Sequence, residues 1–522
     1  MALPLHRRTL LAAAAAALAR PALAQAPRVL RFVPEGNLAN PDPVWTTTTI
    51  ARNHAYLIWD TLYGNNGKGV QSPQMAAGDE VAGDGLTWRI TLRAGLTFHD
   101  GTPVLARDCV PSILRWAKRR GLGQKMLERL DDIRAPDDRS LEIRLNKPFP
   151  LMRAALAEPF MMPERMALTD PFQQISEYVG SGPYRFLRDE WVAGARAVYA
   201  RHENYQPRLE RPEFTAGGKV ANFDRVEWVV MPDPGTAASA LQQGEVDWWQ
   251  NPLVDLLGPL REAPGVRVLQ NDRIGAIALL ALNHTQPPFD NPDLRRALLP
   301  AIDQEEFMQA AWGSEPDLYR TGVGVFTPGM PMANDSGLEA LTGPRDIEQA
   351  QKLLGESGYG GEKIALLAPS DYPDLQALSQ VANDLFQRVG LVVDYLSMDW
   401  GSLVQRRASH AAPDKGGWNA FCTTYEGLSV ATPASHLPLR GNGDAGWFGW
   451  PTSPRMEALR DDWFDAPDLA AQQAICAQMQ ALAFEEVPFI PLGQRFSPTA
   501  IRADIVDVVP APFPIFWNVR RT

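Results

Sequence analysis

The groups best suited to grip a polar small molecule are concentrated between residues 398 and 427. Met398-Asp-Trp-Gly-Ser-Leu-Val-Gln-Arg-Arg407 sets a Trp and two arginines in one segment. Lys415-Gly-Gly-Trp-Asn-Ala-Phe-Cys-Thr-Thr-Tyr-Glu-Gly427 follows, with Thr423, Thr424, Tyr425 and Glu426 adjacent. Arginine suits planar, two-point capture of a carboxylate. Tyr372, in the loop Ser370-Asp-Tyr-Pro373 ahead of a helix, is a further candidate. Upstream, Val44-Trp-Thr-Thr-Thr-Thr-Ile50 has four consecutive threonines. They are either an N-cap and its loop or a loop facing a ligand through Thr46, Thr47 and Thr48. Trp447, Phe448 and Trp450 form an aromatic cluster that reads as a ligand platform or, more simply, as core. This chemistry is recognition by hydrogen bonds, charge and ring faces.

Bond-making chemistry finds no comparable constellation. The seven histidines form no HExxH or HxH pattern, and no GxSxG elbow is present. His99 reads as a turn residue bonded to the backbone. Gly441-Asn-Gly-Asp-Ala-Gly446 matches GxGxxG, but no buried strand precedes it and no helix follows, so a dinucleotide site fails on context. Asp461-Asp462 and Glu485-Glu486 read as solvated helix faces. Cys109, Cys422 and Cys476 are scattered without a CxxC, which argues against zinc. They read as small buried hydrophobes, with a disulfide left open. The sequence therefore predicts a binding protein with no catalytic residues, no cofactor and no metal site.

The elements that must position these groups alternate strand and helix. Trp88, Ile90 and Leu92 alternate with polar residues, which predicts a half-buried strand between the turns at Asp84-Gly85 and Asp100-Gly101. Further strands are expected at Val29–Val33, Ser140–Leu145, Phe223–Met231 and, fully apolar, Ile274–Leu282. Helices are expected over Pro111–Lys118, Asp233–Gln242, Arg345–Gly358 and Asp468–Phe484, and over a segment carrying Leu57, Ile58 and Leu62. Ile364–Ala368, the helix Leu375–Val389 and Leu391–Leu396 make a βαβ unit of a mostly parallel sheet.

The chain has 522 residues, 45% hydrophobic and 21% charged, enough for two or three domains. A net charge of −11 argues against nucleic acid or anionic lipid as partners. His6-Arg7-Arg8-Thr9-Leu10-Leu11, an alanine-rich run and Ala22-Leu-Ala24-Gln-Ala26 form an export signal over residues 1–26. Arg7-Arg8 points to the twin-arginine route. Cleavage leaves an exported, soluble, periplasmic chain.

The order of residues adds a resemblance. Met75 to Trp88, then Leu92-Arg-Ala-Gly-Leu-Thr-Phe-His-Asp-Gly-Thr-Pro103 and Ala106-Arg-Asp-Cys-Val110, resemble the signature of the extracellular solute-binding proteins, family 5. Gly180-Ser-Gly-Pro-Tyr-Arg-Phe186 and the stretch 283–298 resemble other elements of that family. The resemblance covers most of residues 28–520. Asp79 departs from it, standing where most members carry Trp, so one core contact must be made differently.

The resemblance implies an α/β fold of two lobes, the periplasmic-binding-protein type II fold, with an extra small β-rich subdomain in the first lobe. Lobe I would be 27–275 plus 487–522, with the small subdomain at about 50–180, and lobe II 276–486. In it, Val487–Leu492 returns the chain to the first lobe. The implied function is the periplasmic component of an ATP-driven importer. It captures a peptide or peptide-like solute by hinge closure and delivers it to a membrane permease, acting as a monomer. In the family, a Trp at the place of Trp400 lines the pocket and an Arg at the place of Arg407 reaches a ligand carboxylate. An acid in the later loop holds a peptide's ammonium. Here Thr423, Thr424 and Tyr425 occupy that place, with Glu426 the only acid nearby. Tyr425 as core and Glu426 as a solvated side chain stays the alternative. Two other functions stay open: an exported hydrolase on the same scaffold, and a sensor that docks on a membrane receptor.

Overall fold

All seven residues of the strand Ala276–Leu282 are buried. In the computed structural model, which describes residues 28–46, 48–67 and 69–522, this strand sits inside a six-stranded sheet. The order is 319–320, 489–495, 276–282, 420–426, 363–369, 392–398. Its unbroken apolar run follows from two covered faces. Leu279 and Ala281 enter one core, and Ala278, Leu280 and Leu282 the other. The export signal expected over 1–26 lies outside the described residues.

This sheet is mixed where a mostly parallel one was expected. Lys363–Pro369 runs parallel to both Val392–Met398 and Ala420–Glu426, and the former pairing is crossed over by the helix Pro373–Val389. The other pairings are antiparallel. The reason is where the chain crosses between sheets. Ala276, where it arrives, is in register with Arg495, where it leaves, so those two strands must run oppositely.

A seven-stranded sheet takes strands from early and late in the described residues, in the order 266–269, 499–502, 248–249, 29–33, 225–229, 196–201, 184–186. Val29–Val33 is parallel to both of its neighbours. The return strand is Thr499–Arg502, not Val487–Leu492. The latter segment runs into the strand Phe489–Arg495, whose Ile490 and Leu492 fill the core of the six-stranded sheet. The helix Thr49–Ile58 packs into the core of the seven-stranded sheet through Ile50, Ala51, Ala55 and Leu57. It ends at Ile58, so Leu62 follows it, buried outside the helix.

The third sheet, 76–81, 87–92, 140–145 and 130–134, is antiparallel throughout. Trp88, Ile90 and Leu92 point into its core as their alternation requires. Asp79 makes its replacement contact by accepting from the Tyr63 hydroxyl at 2.8 Å and from Arg153 at 2.8 Å. The adjoining helix spans Ala106–Ala117 rather than starting at Pro111. The Asp108 carboxylate accepts from the Leu105 and Glu164 amides at 2.8 and 2.9 Å, which fixes the first turn upstream.

The core of this small sheet continues into the face of the six-stranded sheet that carries Leu279 and Phe421, joined by Trp418 and, from the helix Pro454–Asp465, by Trp463. Ion pairs close the rim, from Lys125 to Asp461 at 2.9 Å and from Arg129 and Lys147 to Asp465 at 2.5 and 2.6 Å.

Candidate functional site

Helix Thr49–Ile58 carries Arg52 to the place where the two large sheets meet. Both terminal nitrogens of Arg52 donate to Glu426, at 2.8 and 3.0 Å. Glu426 ends the strand Ala420–Glu426 and is in register with Ala276, at the point of chain crossing. Burial opposes the charge of Arg52, but Glu426 outweighs it and holds the guanidinium above its ordinary pKa. Glu426 is thus half-buried and paired, matched by a cation from the helix packed on the other sheet. The Thr49 hydroxyl, one turn before Arg52, donates to the Glu35 carboxylate.

On the face of the six-stranded sheet turned toward the small sheet, Arg407 lies in an aromatic niche. Its guanidinium carbon is 4.5 Å from the Phe448 ring centre, 5.3 Å from Trp400 and 5.5 Å from Phe421. Among the described residues no carboxylate pairs with it, and its buried Nε has no hydrogen-bond partner. Burial lowers its pKa, with Tyr425 acting the other way. Trp400 opens the short helix Trp400–Arg406, capped by Asp399. Its ring is 5.3 Å from Tyr372, so Tyr372, Trp400 and Arg407 form one continuous surface. Tyr425 joins it through Trp447, ring centres 5.4 Å apart, and burial pushes its hydroxyl up to about 12.

Strand alternation divides the remaining candidates. Thr423 and Tyr425 share a face with Phe421, whereas Thr424 shares its face with Cys422, which lies in the core under helix Pro373–Val389. Thr424 is therefore turned away from Arg407. Thr46 and Thr48 approach each other at 3.4 Å between hydroxyls, ahead of the helix that bears Arg52. Thr48 occupies the N-cap position without a side-chain cap, and Thr47 lies outside the described residues. Trp450 is core, stacked on His410 at 3.7 Å, while Trp447 and Phe448 are half-buried and shape the Arg407 niche.

Sequence reasoning missed Glu35 and Arg52. A usable signal was present for Glu35: it lies just beyond the carboxyl end of a strand with parallel neighbours, where open α/β sheets place ligand groups. His99 is the turn residue expected, with its ring between the Gly180 amide and the Gly182 carbonyl at 3.1 Å each. The three cysteines are buried and unpaired.

A family model described as bacterial extracellular solute-binding proteins, family 5 Middle, matches residues 71–436. A probable peptide ABC transporter periplasmic-binding protein of Sinorhizobium fredii is 37% identical over 519 residues, covering 98% of this chain and 97% of that protein. A glutathione-binding protein of Pectobacterium atrosepticum is 26% identical over 478 residues, 87% of this chain and 86% of that one. Among solved structures, a dipeptide-binding protein of Pseudoalteromonas in complex with Met-Leu superposes with a TM-score of 0.76. It is 19% identical and covers 95% of this chain and 100% of its own, a likeness of fold.

Proposed function

This chain belongs to the bacterial extracellular solute-binding proteins of family 5, and we propose that it serves an ATP-driven importer as its periplasmic receptor. It closes two lobes around a peptide or peptide-like solute and delivers that solute to a membrane permease, with no bond made or broken. The observation that carries the recognition step is the unpaired guanidinium of Arg407 among Trp400, Phe421 and Phe448. A desolvated cation without an internal acid gains from a ligand carboxylate.

Lobe I is assigned to residues 28 to about 270 plus 497–522, and lobe II to 276–495. The exit is set at Arg495 because the strand Phe489–Arg495 pairs inside the six-stranded sheet. The small subdomain begins after the helix Thr49–Ile58, later than residue 50, because that helix packs in the larger core. Tyr372, Trp400, Arg407, Thr423 and Tyr425 are the lobe II contacts, and Thr46 and Thr48 lie at the lobe I rim. Residues 1–26 direct export by the twin-arginine route, and the mature chain acts as a monomer.

Tryptophan fluorescence of the purified mature chain, titrated with a panel of peptides and small organic acids, tests this reading. Saturable quenching or enhancement with at least one class is expected. A flat response to every class overturns it.

A further inference from the structure

Resting on that receptor reading, we propose that Trp116, Arg120 and Glu158 line a recess in the first lobe that holds a neutral amide group of the solute, its N–H toward Glu158 and its carbonyl toward Arg120. Glu158 follows the short helix Met152–Ala155 and stands two residues ahead of Phe160. It is exposed, yet loss of water is the largest influence on its carboxyl and pushes it up. Arg120 by its charge and the Trp116 side chain by a hydrogen bond pull it down. A group that water touches but protein surrounds lines a recess and not an open surface.

Arg120 precedes the short helix Gly121–Leu127 and spends one terminal nitrogen on the Pro43 and Thr46 carbonyls, at 2.8 and 3.3 Å. Those carbonyls fix its place and leave its charge unmatched. Burial lowers its pKa, with Glu158 acting the other way. Tyr56, from the helix Thr49–Ile58, walls the recess. Its ring is 4.9 Å from Phe160 and stacked at 5.0 Å on Phe513. Burial pushes its hydroxyl up to about 12, with Arg52 acting against the shift and Glu158 adding to it. Leu428 of the second lobe packs on the same apolar cluster as Tyr56, and the Ala434 carbonyl lies against Gly121. The recess therefore opens where the lobes meet.

Charge selects the ligand group. A cation would satisfy Glu158 and be repelled by Arg120, and an anion the reverse. Either leaves one desolvated charge uncompensated. An amide offers a donor and an acceptor without net charge, and so serves both.

The test uses the full mature chain and tryptophan fluorescence. One arm compares Ala-Gln and Gln-Ala with their Glu, Lys and Met counterparts. The other compares Ala-Ala with its ester analogue, Ala-lactate. The amide member of one arm is expected to bind at least about tenfold more tightly. The first arm marks a side-chain amide and the second the peptide bond. Glu158→Met removes the acceptor and is expected to bring the members of that arm within about threefold. Arg120→Met is expected to do the same; if it fails to fold for want of its bonds to Pro43 and Thr46, Glu158→Met decides alone. No amide preference in either arm, or one that survives Glu158→Met, overturns the inference and spares the receptor reading. Silence to every dipeptide with a response to small organic acids does likewise. Silence to both classes overturns both.

Discussion

Arg52 and Glu426 stand 374 positions apart in sequence, yet two hydrogen bonds join their charged groups where the two large sheets meet. The pair links a helix packed on the first sheet to the last residue of a strand in the second. Parting of the lobes at this point would separate the two charges, so the pair is expected to add to the closed form without any ligand contact.

Arg52→Gln removes that link and leaves Glu426 partly buried without its cation. The expected outcome is a shift toward an open form and ligand affinity weaker by about 1–2 kcal/mol, roughly five- to thirtyfold. The radius of gyration from small-angle scattering, with and without ligand, reports the shift directly. An unchanged radius and affinity would show that the pair does not act in closure.

Arg407→Met separates recognition from stability. The thioether keeps the contact with Trp400, Phe421 and Phe448 and removes a desolvated cation whose Nε is unpartnered. Thermal stability is expected to hold or rise, while affinity for carboxylate ligands falls by about 2–3 kcal/mol. A matched loss of both Tm and affinity would mark Arg407 as structural.

Lys219→Met tests a purely structural ion pair. Lys219 and Asp60 are 0% and 1% exposed at their side chains, 2.5 Å apart, and the Tyr205 hydroxyl adds a bond to Asp60 at 2.7 Å. Removing the cation strands a buried carboxylate, with an expected cost of about 3–5 kcal/mol. Urea denaturation of the variant measures it, and ligand affinity of the folded fraction should not move.

Acid sensitivity follows from the histidines. Burial pushes His54, His99 and His284 down to about 3 and His436 down to about 4. These pKa values are lower in the folded than in the unfolded chain, so below about pH 6.5 the unfolded state binds more protons. Their contribution is complete above that pH and is lost as pH falls toward 4, at about 1.4 kcal/mol per pH unit for each histidine. Urea midpoints between pH 7 and pH 4 should fall steeply. His436→Asn should flatten the slope by one such increment while lowering stability at pH 7, because the His436 Nε2 contact to the Val325 carbonyl at 2.8 Å is lost.

Local structure was legible where a pattern had a single physical cause. The all-apolar run at 274–282 needed two covered faces, and the alternation at 88–92 needed one. The helices expected over 233–242 and 375–389 end at Gln243 and Val389, ahead of Gly244 and Gly390, which take the left-handed backbone at φ 76° and 107°. Tyr372, Trp400 and Arg407, each named as a candidate, lie together because they flank neighbouring strand ends. What stayed hidden depends on contacts between distant segments. Nothing local distinguishes Glu426 with a partner from Glu426 in water, since the partner lies on another lobe. The face of Thr424 turned on a one-residue register. The late crossing at Arg495 depended on which sheet needed Ile490 and Leu492.

The strand Thr499–Arg502 enters the seven-stranded sheet between 248–249 and 266–269, pairing with both. Synthesis must therefore pass residue 502 before the seven-stranded sheet has all its strands, whereas every strand of the six-stranded sheet has been made by residue 495. A nascent chain stalled before residue 499 would present two bare rows of amides and carbonyls, the kind of edge that recruits chaperones or seeds aggregation.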